Sequence, residues 1–451
     1  MPTVPELLAP AGSLAMAEAA IAYGADALYG GPPRYSLRAR NNEFGDTARL
    51  AAAIAAAHAA GRRFYLVVNA LPHNGKLKSF HTDLAPLIAL GPDALIMADP
   101  GLIDLAREAW PDVPIHLSVQ ANTMNWASVR FWHKLGIARV ILSRELSLDE
   151  IAEIRQRCPE TELEVFIHGA LCIAHSGRCL LSGYFNRRDA NQGSCTNACR
   201  WEYTMHAGTA DASGDPLPLD VPQGAPAAGE WLIEERERPG ELMPIEEDEH
   251  GTYILNSKDL RAIEHVARLA AIGVDSLKIE GRTKSAYYAA RVTQCYRRAI
   301  DDAAAGRPFD ASLYATLDAL ASRGYTDGFY QRHHAAATQN YASGASAGGS
   351  SRYCGDVVNF DAARGLAEVA VKNRFAVGDR LEIVQPAGNR ECRVERMEDS
   401  GGTTMRVAPG DGHRVWVALP ADAVGALLAR FEPAAETGNA PDLLPAAPDA
   451  R

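Results

Sequence analysis

Four stretches share one pattern: YGADALYGG (23–31), LGPDALIMAD (90–99), LGIARVILSR (135–144) and IGVDSLKIEG (272–281). Each holds a glycine, two or three further residues and then a short apolar run, and each follows an amphipathic stretch. Glycine suits the C-terminal end of a helix and a short buried run suits a parallel strand, so each repeat reads as an αβ junction. Similar runs at Glu6–Ala9, Phe64–Val68, Ile115–Val119 and Glu164–Ile167 bring the candidate strands to eight, near residues 6, 27, 64, 94, 115, 139, 163 and 276. Strands alternating with helix-length segments over roughly 250–300 residues predict an α/β fold, a (β/α)8 TIM-type barrel. A doubly wound open sheet is the alternative, but no G-x-G-x-x-G follows the first strand.

The catalytic barrel is expected over 1–334, closed by helices near 285–304 and 309–322. Between the seventh and eighth strands lies a long insertion, about 168–250, which in a barrel falls on the face that carries active sites. Residues 335–350 are small and polar and read as a flexible linker. From 351 to 432 the apolar period changes to two (CGDVVNF, GLAEVAV, DRLEIV, ECRVERM, TTMRVA, RVWVAL), which predicts a small C-terminal antiparallel β-barrel. The Pro/Ala-rich tail 433–451 reads as disordered.

With 451 residues, 47 % of them apolar and 22 % charged, the chain can bury large cores without staples. It shows no secretory start and no run of about 18 apolar residues, so a cytoplasmic location without membrane contact is expected. The net charge of −11 argues against a nucleic-acid partner until it is read locally. Met205 to His250 holds twelve acidic residues and two arginines, whereas Cys172 to Arg200 carries four arginines against Asp189 alone. The acidity is therefore mostly one segment, and an RNA substrate is not excluded.

Eight cysteines in a reducing compartment do not make a disulfide framework. Four of them, Cys172, Cys179, Cys195 and Cys199, fall within 28 residues as C-x6-C-x15-C-x3-C. Four thiolates suit an iron–sulfur cluster or a tetrahedral zinc, and unligated cysteines are the third reading. Cys172 with His168 or His175 could instead form a thiolate–imidazole pair, the one candidate peptidase machine in the chain. The literal G-x-S-x-G at 344–348 lacks the strand and helix of a nucleophile elbow and is read as chance. Asn69, Gln120, Asn122, Arg144, His168, Lys278, Glu280 and Arg282 stand at or just past strand ends, where a barrel's mouth is lined. Of these, His168, Lys278, Glu280 and Arg282 are the candidate catalytic residues. Asn122 and Arg144, with Arg178, Arg187, Arg188 and Lys258, are the candidate substrate ligands. Arginines beside Tyr184, Phe185 and Trp201 suit phosphates and stacked bases.

The segments ELLAPAGS (6–13), HGALCIAHSGRCLLSGYFNRRDANQGSCTNACRW (168–201), NSKDL (256–260) and LKIEGRTKS (277–285) resemble the collagenase-like peptidase family U32. The resemblance runs from about Glu6 to Ala304, and the C-terminal module is similar to the family's C-terminal domain. Within the family the chain looks most like the branch that makes 5-hydroxyuridine at the tRNA wobble position with prephenate. That resemblance implies a 4Fe–4S cluster on Cys172, Cys179, Cys195 and Cys199, with tRNA and the iron–sulfur assembly machinery as partners. Chemically it is coherent, because adding oxygen to a pyrimidine C5 exceeds what standard side chains supply. Prephenate, a dicarboxylate, would need cationic anchors, and Lys278, Arg282 and Arg144 are the candidates. The alternatives are a U32-type peptidase, another cluster-dependent hydroxylase, or a C-terminal module that only docks RNA or a partner.

Overall fold

The computed structural model describes residues 4–38, 42–171, 175, 178–179, 190–192, 258–320, 322, 324–331 and 351–431, and gives the backbone alone for six short strands between 203 and 252. It divides into two compact units, Met1–Ala347 and Gly348–Arg451. Of the expectations above, those on Cys172, Cys195, Cys199, Arg187, Arg188, the 335–350 linker and the 433–451 tail lie outside the described residues.

In the first unit the eight expected strands are all present: β1 (Glu6–Pro10), β2 (Ala27–Gly30), β3 (Arg63–Val68), β4 (Ala94–Met97), β5 (Ile115–Leu117), β6 (Arg139–Ile141), β7 (Glu162–Ala170) and β8 (Ser276–Ile279). Each pairs in parallel with the next. Strand β8 also pairs with β1, Glu6 opposite Ser276, so the sheet closes and the open-sheet alternative falls. The strands are buried on both faces, between the outer helices and the barrel interior, which is why they read as continuous apolar runs. The helices between them are locally well specified. Ser147 and Glu150 form a reciprocal capping box on the helix Leu148–Arg157, and Ser285 caps the long helix Ala286–Ala304.

Strand β7 is nine residues long and serves two partners. Its first part pairs with β8, and its end, His168–Ala170, pairs antiparallel with the short strand Asp259–Arg261. The β7–β8 register slips by one residue between Phe166 and His168. Such a bulge turns the following side chain to a new direction.

The interior of the barrel is charged rather than purely apolar. Arg139 bonds Glu6 at 2.7 Å and Glu164 at 3.2 Å. Lys278 bonds the other Glu164 oxygen at 2.7 Å. Tyr65 donates to Glu6 at 2.7 Å, and Ser276 does so at 3.0 Å. All six residues are buried. Burial opposes ionisation of Glu6, but the charge and hydrogen bonds of Arg139 outweigh it and hold the carboxyl below its usual range.

The second unit is an antiparallel seven-stranded sheet. Its central strand, Ser351–Asp361, lies between Leu366–Val371 and Leu427–Phe431. Cys354, Val357, Val369, Phe375, Leu381, Val415, Val417 and Leu428 form its own apolar core. The period-two alternation expected from the sequence places these side chains inward.

Candidate active site

The C-terminal ends of the eight strands form a mouth whose lining is built by three loops. After β2 the chain leaves through Gly30 and Gly31, and a Cβ at Gly31 would lie 2.4 Å from the Val67 carbonyl oxygen. Only glycine lets the backbone pass that close to β3, and the exit carries Ser36 and Arg38 to the rim. After β3, Asn69 accepts from Leu37 N–H at 3.3 Å and donates to Ser118 Oγ at 3.2 Å, tying that loop to the one after β5. After β8 come Glu280 and Arg282.

Arg282 is 7 % exposed. Its Nη1 donates to Ser36 Oγ at 2.7 Å, and its guanidinium lies 5.6 Å from the centre of the Tyr29 ring. No carboxylate bonds it among the described residues. Burial pulls its pKa down to about 10, so it stays cationic at neutral pH. Arg38 donates to Glu280 Oε1 through Nε at 3.3 Å and Nη2 at 3.2 Å. Lys278 also lies against Tyr29. Its ammonium is 4.2 Å from the Tyr29 ring centre and bonded to Glu164, so it belongs to the interior network rather than the rim.

The described part of the cysteine-bearing segment is tied to this mouth at three points. His175 takes the Asn122 amide, Nδ2 lying 2.9 Å from its Nδ1 and 3.2 Å from its carbonyl oxygen. Arg178 Nε donates to the Gln120 carbonyl at 3.0 Å. Asn191 brackets Cys179, accepting from its N–H at 3.3 Å and donating to its carbonyl at 3.2 Å, while the Asn191 carbonyl takes Leu71 N–H at 3.1 Å. Cys179 is buried there. Asn122 has φ 53°, and among the described residues no other non-glycine adopts a positive φ. Arg144 sits 4.2 Å over the Phe166 ring and donates to the Ala170 carbonyl at 3.0 Å, at the root of the segment.

His168 is placed elsewhere. Beyond the β7 bulge its ring lies among Tyr288, Tyr296 and Tyr325, at centroid distances of 6.0, 5.5 and 5.4 Å. Its Nδ1 is 3.3 Å from Tyr296 Oη, and its Nε2 has no partner. Burial, reinforced by Arg261 and Lys284, pushes its pKa down to about 3, so it is neutral and sealed from solvent. Lys258, half-buried, stands just ahead of the short strand Asp259–Arg261, with its side chain beside Gly324. The structure thus gathers Glu280, Arg282, Asn122, Arg144, Arg178 and Cys179 at the mouth and its margin, and sets Lys278 and His168 apart. Sequence reasoning missed Tyr29, Ser36, Arg38 and Glu164. The signal for Ser36 and Arg38 was the run GGPPRYSLR (30–38) that leaves β2, a glycine pair leading into arginines. Among the described residues one other donor set, Glu264, His265 and Asp327, converges within 4.8 Å, and His265 is there bonded to Asp327 at 3.1 Å.

The sequence that folds into this barrel matches a family model over most of its length. Residues 12–340 match the Peptidase family U32 model and residues 350–430 that family's C-terminal domain. The chain belongs to peptidase family U32. It is 57 % identical to the tRNA hydroxylation protein P of Escherichia coli (strain K12), covering 93 % of this chain and 94 % of the relative. The protein of that name from Haemophilus influenzae is 56 % identical, over 93 % of this chain and 94 % of its own. A more distant relative is the 23S rRNA 5-hydroxycytidine C2501 synthase of Escherichia coli, 29 % identical over 92 % of this chain and 57 % of the relative. No helix of the described residues is long and apolar enough to cross a membrane.

Proposed function

We propose that the chain is a tRNA hydroxylase that places oxygen on C5 of uridine, with a 4Fe–4S cluster on Cys172, Cys179, Cys195 and Cys199 and prephenate as co-substrate. The observation that carries the reading is the 57 % identity, over nearly the whole of both chains, to a protein named for tRNA hydroxylation. The distant relative named as a 5-hydroxycytidine synthase supports C5 of a pyrimidine as the class of target. A cluster would supply the redox capacity that no standard side chain has. The four thiolates are the right donor set for it, and Cys179 is buried beside the mouth with its backbone pinned by Asn191.

The chain's own residues would bind and orient. Arg282 offers a charged fork to a carboxylate, and Arg144 and Arg178 extend the cationic margin toward an RNA phosphate. The reading makes tRNA the macromolecular partner, the cytoplasm its location and the iron–sulfur assembly machinery a maturation partner. The peptidase alternative loses support from the geometry. Of its two candidate bases, His168 is buried among tyrosines with its pKa near 3, and His175 is bonded to the Asn122 amide.

The test is mass spectrometry of tRNA nucleosides from a deletion strain complemented with the wild type or Cys179→Ser. Loss of 5-hydroxyuridine derivatives on deletion, restored by the wild type alone, is expected. An unchanged nucleoside profile in a strain without a redundant enzyme sinks the reading.

A further inference from the structure

Charges in the barrel fall into two groups that are balanced differently. In the interior Lys278 is met by Glu164 at 2.7 Å and Arg139 by Glu6 at 2.7 Å. At the rim Arg38 and Arg282 face Glu280, and Glu280 bonds Arg38. That bond is long for its kind. Both guanidinium nitrogens sit on one oxygen at 3.2 and 3.3 Å, against about 2.7–2.9 Å for a charge-assisted bond. Arg282 is more buried than Arg38 and has five N–H groups, of which Ser36 takes one. A buried guanidinium costs free energy unless an anion reaches it, so the rim is built to receive one.

We infer that Arg282 and Arg38 are the two jaws of a dicarboxylate clamp, and that Glu280 is the clamp's internal stand-in, occupying Arg38 until a ligand carboxylate replaces it. One ligand carboxylate docks on Arg282 beside Ser36 and Tyr29. A second displaces Glu280 from Arg38, and a ligand without a second carboxylate leaves the Arg38–Glu280 pair closed. Glu280 therefore sets specificity: it repels an anion that cannot take its place. The inference deepens the functional reading above, on which it rests for the class of ligand.

The experiment measures binding by calorimetry on the full chain carrying its native complement of metal, with prephenate and the monocarboxylate 3-phenylpropanoate as probes. The double variant Arg38→Met/Glu280→Gln removes one positive and one negative charge, so the local net charge is unchanged. It is expected to weaken prephenate about 10- to 100-fold, the worth of one charge-assisted hydrogen bond, and to leave 3-phenylpropanoate within about twofold. Glu280→Gln alone should tighten prephenate by about tenfold. Equal weakening of both probes in the double variant, or weaker prephenate binding in Glu280→Gln, overturns the clamp. So does a wild type that binds prephenate no better than the monocarboxylate. Thermal melting of each variant separates these outcomes from misfolding, and Arg38→Lys, which keeps the charge but not the fork, should retain an intermediate preference. The nucleoside profile separates the two claims. Normal discrimination without hydroxylated nucleosides removes the reaction and leaves the clamp standing.

Discussion

Lys278 and Arg282 are four residues apart at the same strand end, and they have opposite circumstances. Lys278 is locked inside the barrel against Glu164, whereas Arg282 is buried at the rim with a hydroxyl and an aromatic face as its company. Both are cations in protein surroundings, so residue type does not separate a structural charge from an available one. The separating property is whether a carboxylate has been folded in beside it. The interior network holds the barrel together by satisfying its own charges. At the mouth, among the described residues, no carboxylate is bonded to Arg282.

The comparison breaks most visibly through stability. Lys278→Met leaves Glu164 buried with Arg139 as its remaining counter-charge, and since a fully uncompensated buried charge costs about 3–5 kcal/mol, a loss of up to that size is expected. A large fall in the denaturation midpoint is expected, recovered in part by Lys278→Met/Glu164→Leu, which removes the pair together. Arg282→Met removes a buried cation that has no carboxylate bonded to it among the described residues, so the midpoint should hold or rise. If the two single variants lose similar stability, the division into paired interior and receptive mouth is wrong.

A pH titration sharpens the interior side. His168 is neutral when folded, its pKa near 3 against an ordinary value of about 6.5. A histidine depressed by folding adds stability above its unfolded pKa and loses it as the pH falls, because the unfolded chain takes up the proton first. Stability should therefore decline from about pH 6.5 downward, by about 3 kcal/mol at pH 4 from this residue. His116 adds to the slope, since burial and then Arg139 and Lys278 depress it as well. The chemical denaturation midpoint of His168→Gln, followed from pH 7 to pH 4, should show a visibly shallower decline than the wild type. An unchanged slope would mean that His168 is not sealed as described.

Activity sharpens the mouth side. Arg282→Met should cut hydroxylated nucleosides about 100-fold, the scale of removing one charge-assisted hydrogen bond from a binding site, with the melting point held. Full activity in that variant would remove the mouth's central cation from the proposed reaction.

How much of this was legible in the sequence follows the range of the interactions. The barrel strands were readable because each αβ junction is local: a glycine, a short spacer and an apolar run recur where helix gives way to strand. The cysteine segment was readable because four thiols crowd one window. The partner of Lys278 was not, because Glu164 lies 114 positions away and reads as one more strand residue. His168 reads as a mouth residue from its place at a strand end, and the β7 bulge turns it away by a one-residue slip. Ser36 and Arg38 reach the rim only because Gly31 can pass the Val67 carbonyl, a close approach between segments that no local pattern announces.

Asn122 gives the smallest effect and the finest division between the two regions. Its side chain bonds His175, and its backbone is left-handed. Asn122→Gly removes the bonds but suits the backbone, and Asn122→Ala removes the bonds and adds about 1 kcal/mol of left-handed strain. The tie to His175 should account for about 0.5–1.5 kcal/mol. Because it fastens a segment to the mouth rather than holding the barrel closed, the loss should appear as faster hydrogen exchange around His175. The global midpoint of Asn122→Gly should stay within about 2 °C of the wild type, with Asn122→Ala somewhat lower. A glycine variant that melts as early as Lys278→Met would show that the segment over the mouth and the network beneath it unfold as one body.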